Sequence, residues 1–216
     1  MAIVDKSLAV GLRRSYARNT DQDLGQHVKK TIKSGKDTVS FERLLGRGDV
    51  ICGKRIRRPS PGTVAGADIV YIDHFQESGE LLFSYDQIDK RGELLKGRLS
   101  RVLMAVSRHG VESLYQRLKT HEWKIVITEL RSVGAWFFEN MHVVAMEEEG
   151  FLVTPTGVFP VVRGSYEKNE QFEGKRHWVA TTWISQANLE DHTPYKLRVA
   201  EAVRAASGKG VHFFKL

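Results

Sequence analysis

Glu139 stands inside residues 133–146, a run that is otherwise apolar on nearly every helical face. A carboxylate in such a place has three chemistries open to it. It can hold a divalent metal, act as a general acid or base, or mark the solvent edge of a mostly buried helix. His142 follows three residues later and shares its face. Tyr71 and Tyr85 lie in two stretches rich in β-branched and aromatic residues. Arg98, Arg101 and Arg108 recur opposite an apolar stripe of Leu95, Leu99, Val102, Leu103 and Val106, so they predict a basic ridge on one side of a helix.

The elements that must position these groups follow from periodicity and turn chemistry. Residues 67–75 and 80–87 read as the strands of a hairpin around Glu77-Ser78-Gly79, with Gly79 supplying the left-handed position of a three-residue loop. That loop pairs residue 76 with residue 80 and places Tyr71 directly opposite Tyr85, on one face of the sheet. A facing pair of this kind also stabilises a hairpin with no chemistry attached. After the helix of residues 95–106, Val111, Leu114, Tyr115 and Leu118 predict a second helix. Trp123 to Leu130 reads as a strand, and Ser132 as the cap of the helix that carries Glu139.

The order hairpin, helix, strand, helix, with a tyrosine in each hairpin strand and a glutamate inside the last helix, resembles the catalytic core of the GIY-YIG endonuclease family. The resemblance covers about residues 67–150. Asp68-Ile69-Val70-Tyr71 stands for the first signature, with Ile69 at a glycine position, and Ser84-Tyr85-Asp86 for the second. Arg98 or Arg101 stands for the helix arginine and Glu139 for the metal ligand. The resemblance implies phosphodiester hydrolysis with Mg2+ or Mn2+. The metal would polarise the phosphate, a tyrosine would help activate water and a guanidinium would hold the non-bridging oxygens.

Charge points to a polyanion independently of that resemblance. Residues 1–66 carry 14 Lys/Arg against 6 Asp/Glu, residues 67–150 carry 10 against 14, and residues 151–216 carry 9 against 6. The nets are +8, −4 and +3, which give the chain its +7. Arg47, Lys54, Arg55, Arg57 and Arg58 form a dense run closed by Pro59 and Pro61, read as an arm or linker. With Arg108, Lys196 and Arg198 they are the candidate phosphate contacts, and DNA or RNA is the expected partner. The same charges also suit a solvated loop, an acidic protein partner or self-association.

The flanks complete an α+β reading in three parts: a basic helical region and arm (1–66), a central α/β unit (67–150) and a C-terminal hairpin, strand and helix (151–216). Val4, Leu8, Leu12 and Tyr16 predict a first helix, Leu24, Val28 and Ile32 a second, and residues 40–45 a short third turn. Phe151–Val153 and Val158–Val162 flank a Pro/Gly turn, residues 176–184 form a strand, and Thr193-Pro194 opens a helix to about Ala206. Trp178 and Trp183, five residues apart, put one indole in the core and leave the other for base stacking. A last strand lies at residues 211–214. The lone Cys52, the lack of any apolar run of about 18 residues and the absence of a visible secretory signal lead to an intracellular, non-membrane expectation. The alternative to an enzyme is a non-catalytic basic binding or assembly protein.

Overall fold

The computed structural model describes residues 4–19, 45–47, 51–57, 66–75, 80–89, 101–165, 176–186, 194–206 and 210–215. Among them the strands β1 (Ile51–Arg57), β2 (Gly66–Phe75), β3 (Glu80–Asp89), β4 (Arg101–Val106), β5 (Glu149–Val153), β6 (Gly157–Ser165), β7 (Arg176–Ala180), β8 (Ile184–Ser185) and β9 (His212–Lys215) form one mixed sheet. Its order is β1-β2-β3-β4-β7-β6-β5-β9, with β8 pairing the start of β6. The helices are α1 (Lys6–Asn19), α2 (Arg108–Leu118), α3 (Trp123–Met146) and α4 (Pro194–Ala206). All three sequence regions thus contribute strands to the same sheet, joined at its centre by the parallel β4–β7 pair. No helix among the described residues is long and apolar enough to cross a membrane.

The sheet curls around α3. A Cβ on Gly53 of β1 would meet the Phe138 side chain at 2.7 Å, and one on Gly134 would sit 2.4 Å from the Cβ of Cys52. On its other flank the same helix places the Phe137 ring 5.9 Å and the Trp136 ring 6.2 Å from Trp178 of β7. β1 and β7 are four strands apart, roughly 19 Å along a flat sheet, whereas a helix is about 10–12 Å wide. Only a curved sheet touches both flanks. Val126, Leu130, Val133, Phe137 and Val144 fill the concave core with Phe83, Met104, Phe159, Trp178 and Trp183. On the other face α4 covers β5 and β6 through Val199 and Ala202, while α1 is tied to α2 by the buried Arg13–Glu112 pair, 3.0 Å apart.

The predicted hairpin strands, the helix at 111–118, the β5–β6 hairpin, the C-terminal helix and the last strand are all present. Four readings are corrected. Residues 101–106 are strand β4, not helix: Val102 to Val106 are buried without a break, as a central strand covered on both faces must be. Their spacing from Leu95 and Leu99 imitates a helix. Trp123 to Leu130 is the start of α3, because burial follows Val126, Leu130 and Val133 while Ile125 is 45% exposed. Ser132 is therefore no cap, and its hydroxyl donates to the Glu129 carbonyl. Residues 51–57 of the supposed arm are edge strand β1. Residues 176–184 divide into β7 and β8, and both Trp178 and Trp183 are fully buried, so neither is free to stack on a base. The second N-terminal helix and most of the turn at 40–45 lie outside the described residues.

Candidate nucleic-acid interface

β1 is antiparallel to β2 alone among the described residues, so it forms one margin of the sheet. A bulge between Ile51 and Gly53 resets its alternation, as bulges near sheet edges do. Beyond it Gly53, Arg55 and Arg57 stand opposite Val70, Asp68 and Gly66, on the α3 side, while Lys54 and Ile56 stand opposite Ile69 and Ala67 on the other. The strand is buried where it starts, then exposed at Lys54, Arg55 and Ile56 in succession, with Ile56 65% exposed.

The polar groups on the α3 side form an ordered row. Arg55, Asp68 and Gln87 are neighbours across β1, β2 and β3. The Arg55 guanidinium lies over the Phe138 ring, 5.2 Å from its centroid, a cation–π contact that holds a long side chain in place. Arg57 Nε is 3.2 Å from Asp68 Oδ1 but is not aimed at it as a hydrogen bond, so that contact is an ion pair only. Arg57 Nη2 donates to the Ile88 carbonyl at 2.8 Å. Gln87 Nε2 donates to the Tyr85 hydroxyl at 3.0 Å, and Tyr85 stands opposite Val70 and Arg101 in its ladders. On the outer side Lys54 Nζ donates to the Leu45 carbonyl at 2.8 Å.

The two tyrosines of the expected constellation do not face each other. The β2–β3 register pairs Phe75 with Glu80, one residue away from the expected pairing, so Tyr71 faces Ser84 and Val70 faces Tyr85. A one-residue slip sends adjacent side chains to opposite faces. Tyr85 joins the core beneath α3, whereas Tyr71 is buried on the far face with Leu45, Ile51, Ala67, Ile69 and Ile88. There the Tyr71 hydroxyl donates to Asp86 Oδ2 at 2.6 Å. The hairpin loop, residues 76–79, is outside the described residues, as are Arg98 and Arg58.

Glu139 is on the exposed side of α3, in line with Ala135 and His142. No group of three or more His, Cys, Asp or Glu side chains placed to hold a metal ion occurs among the described residues.

The candidate phosphate contacts are dispersed. Lys54, Arg55 and Arg57 share β1. Arg47 is half-buried just before it, Arg108 is exposed at the first residue of α2, and Arg198 is exposed on α4 with Lys196 in the same helix. Phe138, Asp68 and Gln87 were missed as site residues. The alternation of Arg55 and Arg57 around Ile56 signals a strand with both cations on one side, but nothing in the sequence points to Phe138.

Comparison of the chain with protein-family models, with curated proteins and with solved structures finds no significant match.

Proposed function

We propose that this chain is a non-catalytic binding protein for a polyanion, nucleic acid in particular, which it engages along edge strand β1. The observation that carries the reading is the consecutive exposure of Lys54, Arg55 and Ile56 on a strand whose other end is buried. Neither cation has a carboxylate partner among the described residues, and Arg55 is held over Phe138. Two exposed cations on successive residues of the margin offer charge to phosphate on either side of the sheet, and the net +7 adds long-range attraction. The endonuclease reading lacks a comparable observation: Tyr71 and Tyr85 are on opposite faces and Glu139 is turned to solvent.

The test is a salt titration of affinity for a labelled oligonucleotide. Wild-type protein is expected to bind at low salt with log K falling linearly against log salt. Lys54→Gln with Arg55→Gln is expected to flatten that slope by about 0.7 to 0.9 for each charge removed. Absence of binding at low salt overturns the proposal, and an unchanged slope moves the interface elsewhere.

A further inference from the structure

We infer that the β1 interface takes an unpaired, single strand of nucleic acid in preference to a duplex, with a base lying on the guanidinium of Arg55; this rests on the polyanion reading above. The cations follow one strand, with Lys54 turned to one side of the sheet and Arg55 and Arg57 to the other. Lys54, Arg55 and Arg57 occupy one strand at the sheet margin, about 10 Å from first to last at roughly 3.3 Å per residue. A duplex presents two backbones separated by a groove of about 6 or 12 Å, whereas among the described residues β1 itself carries one line of cations, with Arg131 of α3 the neighbour that acts on the Cys52 thiol. The exposed Arg198 is on α4, which packs against β5 and β6 toward the opposite end of the strand order.

The electrostatic contact is also too small to hold a strand by itself. Asp68 matches the charge of Arg57, which leaves Lys54 and Arg55 to meet phosphate. Two contacts to a single strand give a salt slope near −1.4, so a fourfold rise in salt lowers affinity only roughly sevenfold. Further affinity must come from contacts that are not ionic, and the Arg55–Phe138 pair supplies one. With the guanidinium carbon 5.2 Å from the Phe138 ring centroid and Arg55 itself exposed, the group keeps surface that a base can meet. A base can stack there only if its own face is free. In a duplex both faces of each base are covered by its neighbours, whereas a base of a single strand can be splayed out onto an arginine or aromatic plane.

The test compares three labelled or competing polyanions by fluorescence anisotropy at one salt concentration: a mixed-sequence single-stranded 20-mer, the duplex of the same sequence, and inorganic polyphosphate of similar length. The single strand is expected to bind at least tenfold tighter than the duplex, with polyphosphate a poor competitor. Arg55→Lys keeps the charge but not the planar group, and is expected to lower single-strand affinity about tenfold with the salt slope unchanged. Phe138→Leu is expected to do the same, and the Arg55 variant guards against misfolding because it lies on an exposed stretch. Equal or tighter binding of the duplex, or full retention of affinity in Arg55→Lys, overturns this inference while leaving polyanion binding intact. Failure to bind all three at low salt overturns both.

Discussion

Gly134→Ala should lower the stability of this protein, against the ordinary preference of helices for alanine. At an open helical position the change gains about 1 kcal/mol. Here the new methyl carbon would lie 2.4 Å from Cys52 Cβ and 2.5 Å from its sulfur, where carbon atoms in contact stay about 3.5–4.0 Å apart. Relief of more than an ångström is needed, and both sides are constrained: β1 by its ladder to β2, and α3 by the Trp136, Phe137 and Trp178 cluster. Overpacking of this kind costs about 1–3 kcal/mol, and a chain of this length loses about 2–4 °C per kcal/mol. Thermal unfolding followed by circular dichroism should therefore show a Tm lower by roughly 2–12 °C. In a Cys52→Gly background the clashing Cβ and sulfur are gone and the 3.2 Å approach to the Phe83 ring remains, so Gly134→Ala should cost clearly less than in the wild-type background. A higher Tm for Gly134→Ala in the wild-type background would refute the close approach of α3 to β1, and with it the placement of Phe138 under Arg55.

Three other outcomes follow from the same geometry. Arg13→Met leaves Glu112 buried without its cation and should cost about 3–5 kcal/mol, while Arg13→Met with Glu112→Met should recover most of it; a double variant no more stable than the single one would show the pair is not coupled. Burial pushes the Cys52 thiol and the Tyr115 hydroxyl up to about 12, from ordinary values near 9 and 10. A raised acid favours the folded state only while it is protonated in both states, so stability should be level below about pH 9 and fall as pH rises toward 12. Denaturant titrations at pH 8 and pH 10.5 check this, and half-buried Cys52 with its raised thiol should be labelled by a thiol reagent at pH 8 more slowly than a free cysteine; labelling as fast as a free cysteine would contradict it. Glu139→Gln should change stability by less than about 0.5 kcal/mol and leave oligonucleotide affinity as it was. A tenfold loss of affinity would restore a functional role to that carboxylate.

Much of the fold was legible where local chemistry and tertiary packing agree. The β5–β6 hairpin is one such place: its turn is tied by the Thr154 amide donating to the Gly157 carbonyl at 2.8 Å, as the Pro-Thr-Gly sequence suggests. The C-terminal helix is another, with its proline at the first position. The failures occurred where packing overrides local preference. Ile125, Val126 and Ile127 favour a strand by type, but the concave sheet needs a long apolar helix and α3 takes them. Val102 to Val106 gave no alternation, because both faces are covered. Register was the costliest error: Leu81, Leu82 and Phe83 are all apolar, so either pairing buries residues on both sides, and the turn residues alone misled. That one residue separated Tyr71 from Tyr85. Of the candidate site, the cations of β1 were legible by composition, but their partner Phe138 was not, since it meets Arg55 only through the curvature of the sheet.

Amide hydrogen exchange of the whole chain, with and without a saturating single-stranded 20-mer at low salt, tests the assignment of the interface to β1 most directly. Alternate amides of an edge strand turn away from its partner, so those of Lys54, Arg55 and Ile56 that β1 turns away from β2 should exchange quickly in the free protein and slow markedly in the complex, while α4 stays unchanged. Protection confined to α4 or to the start of α2, with β1 exchanging as before, would contradict it.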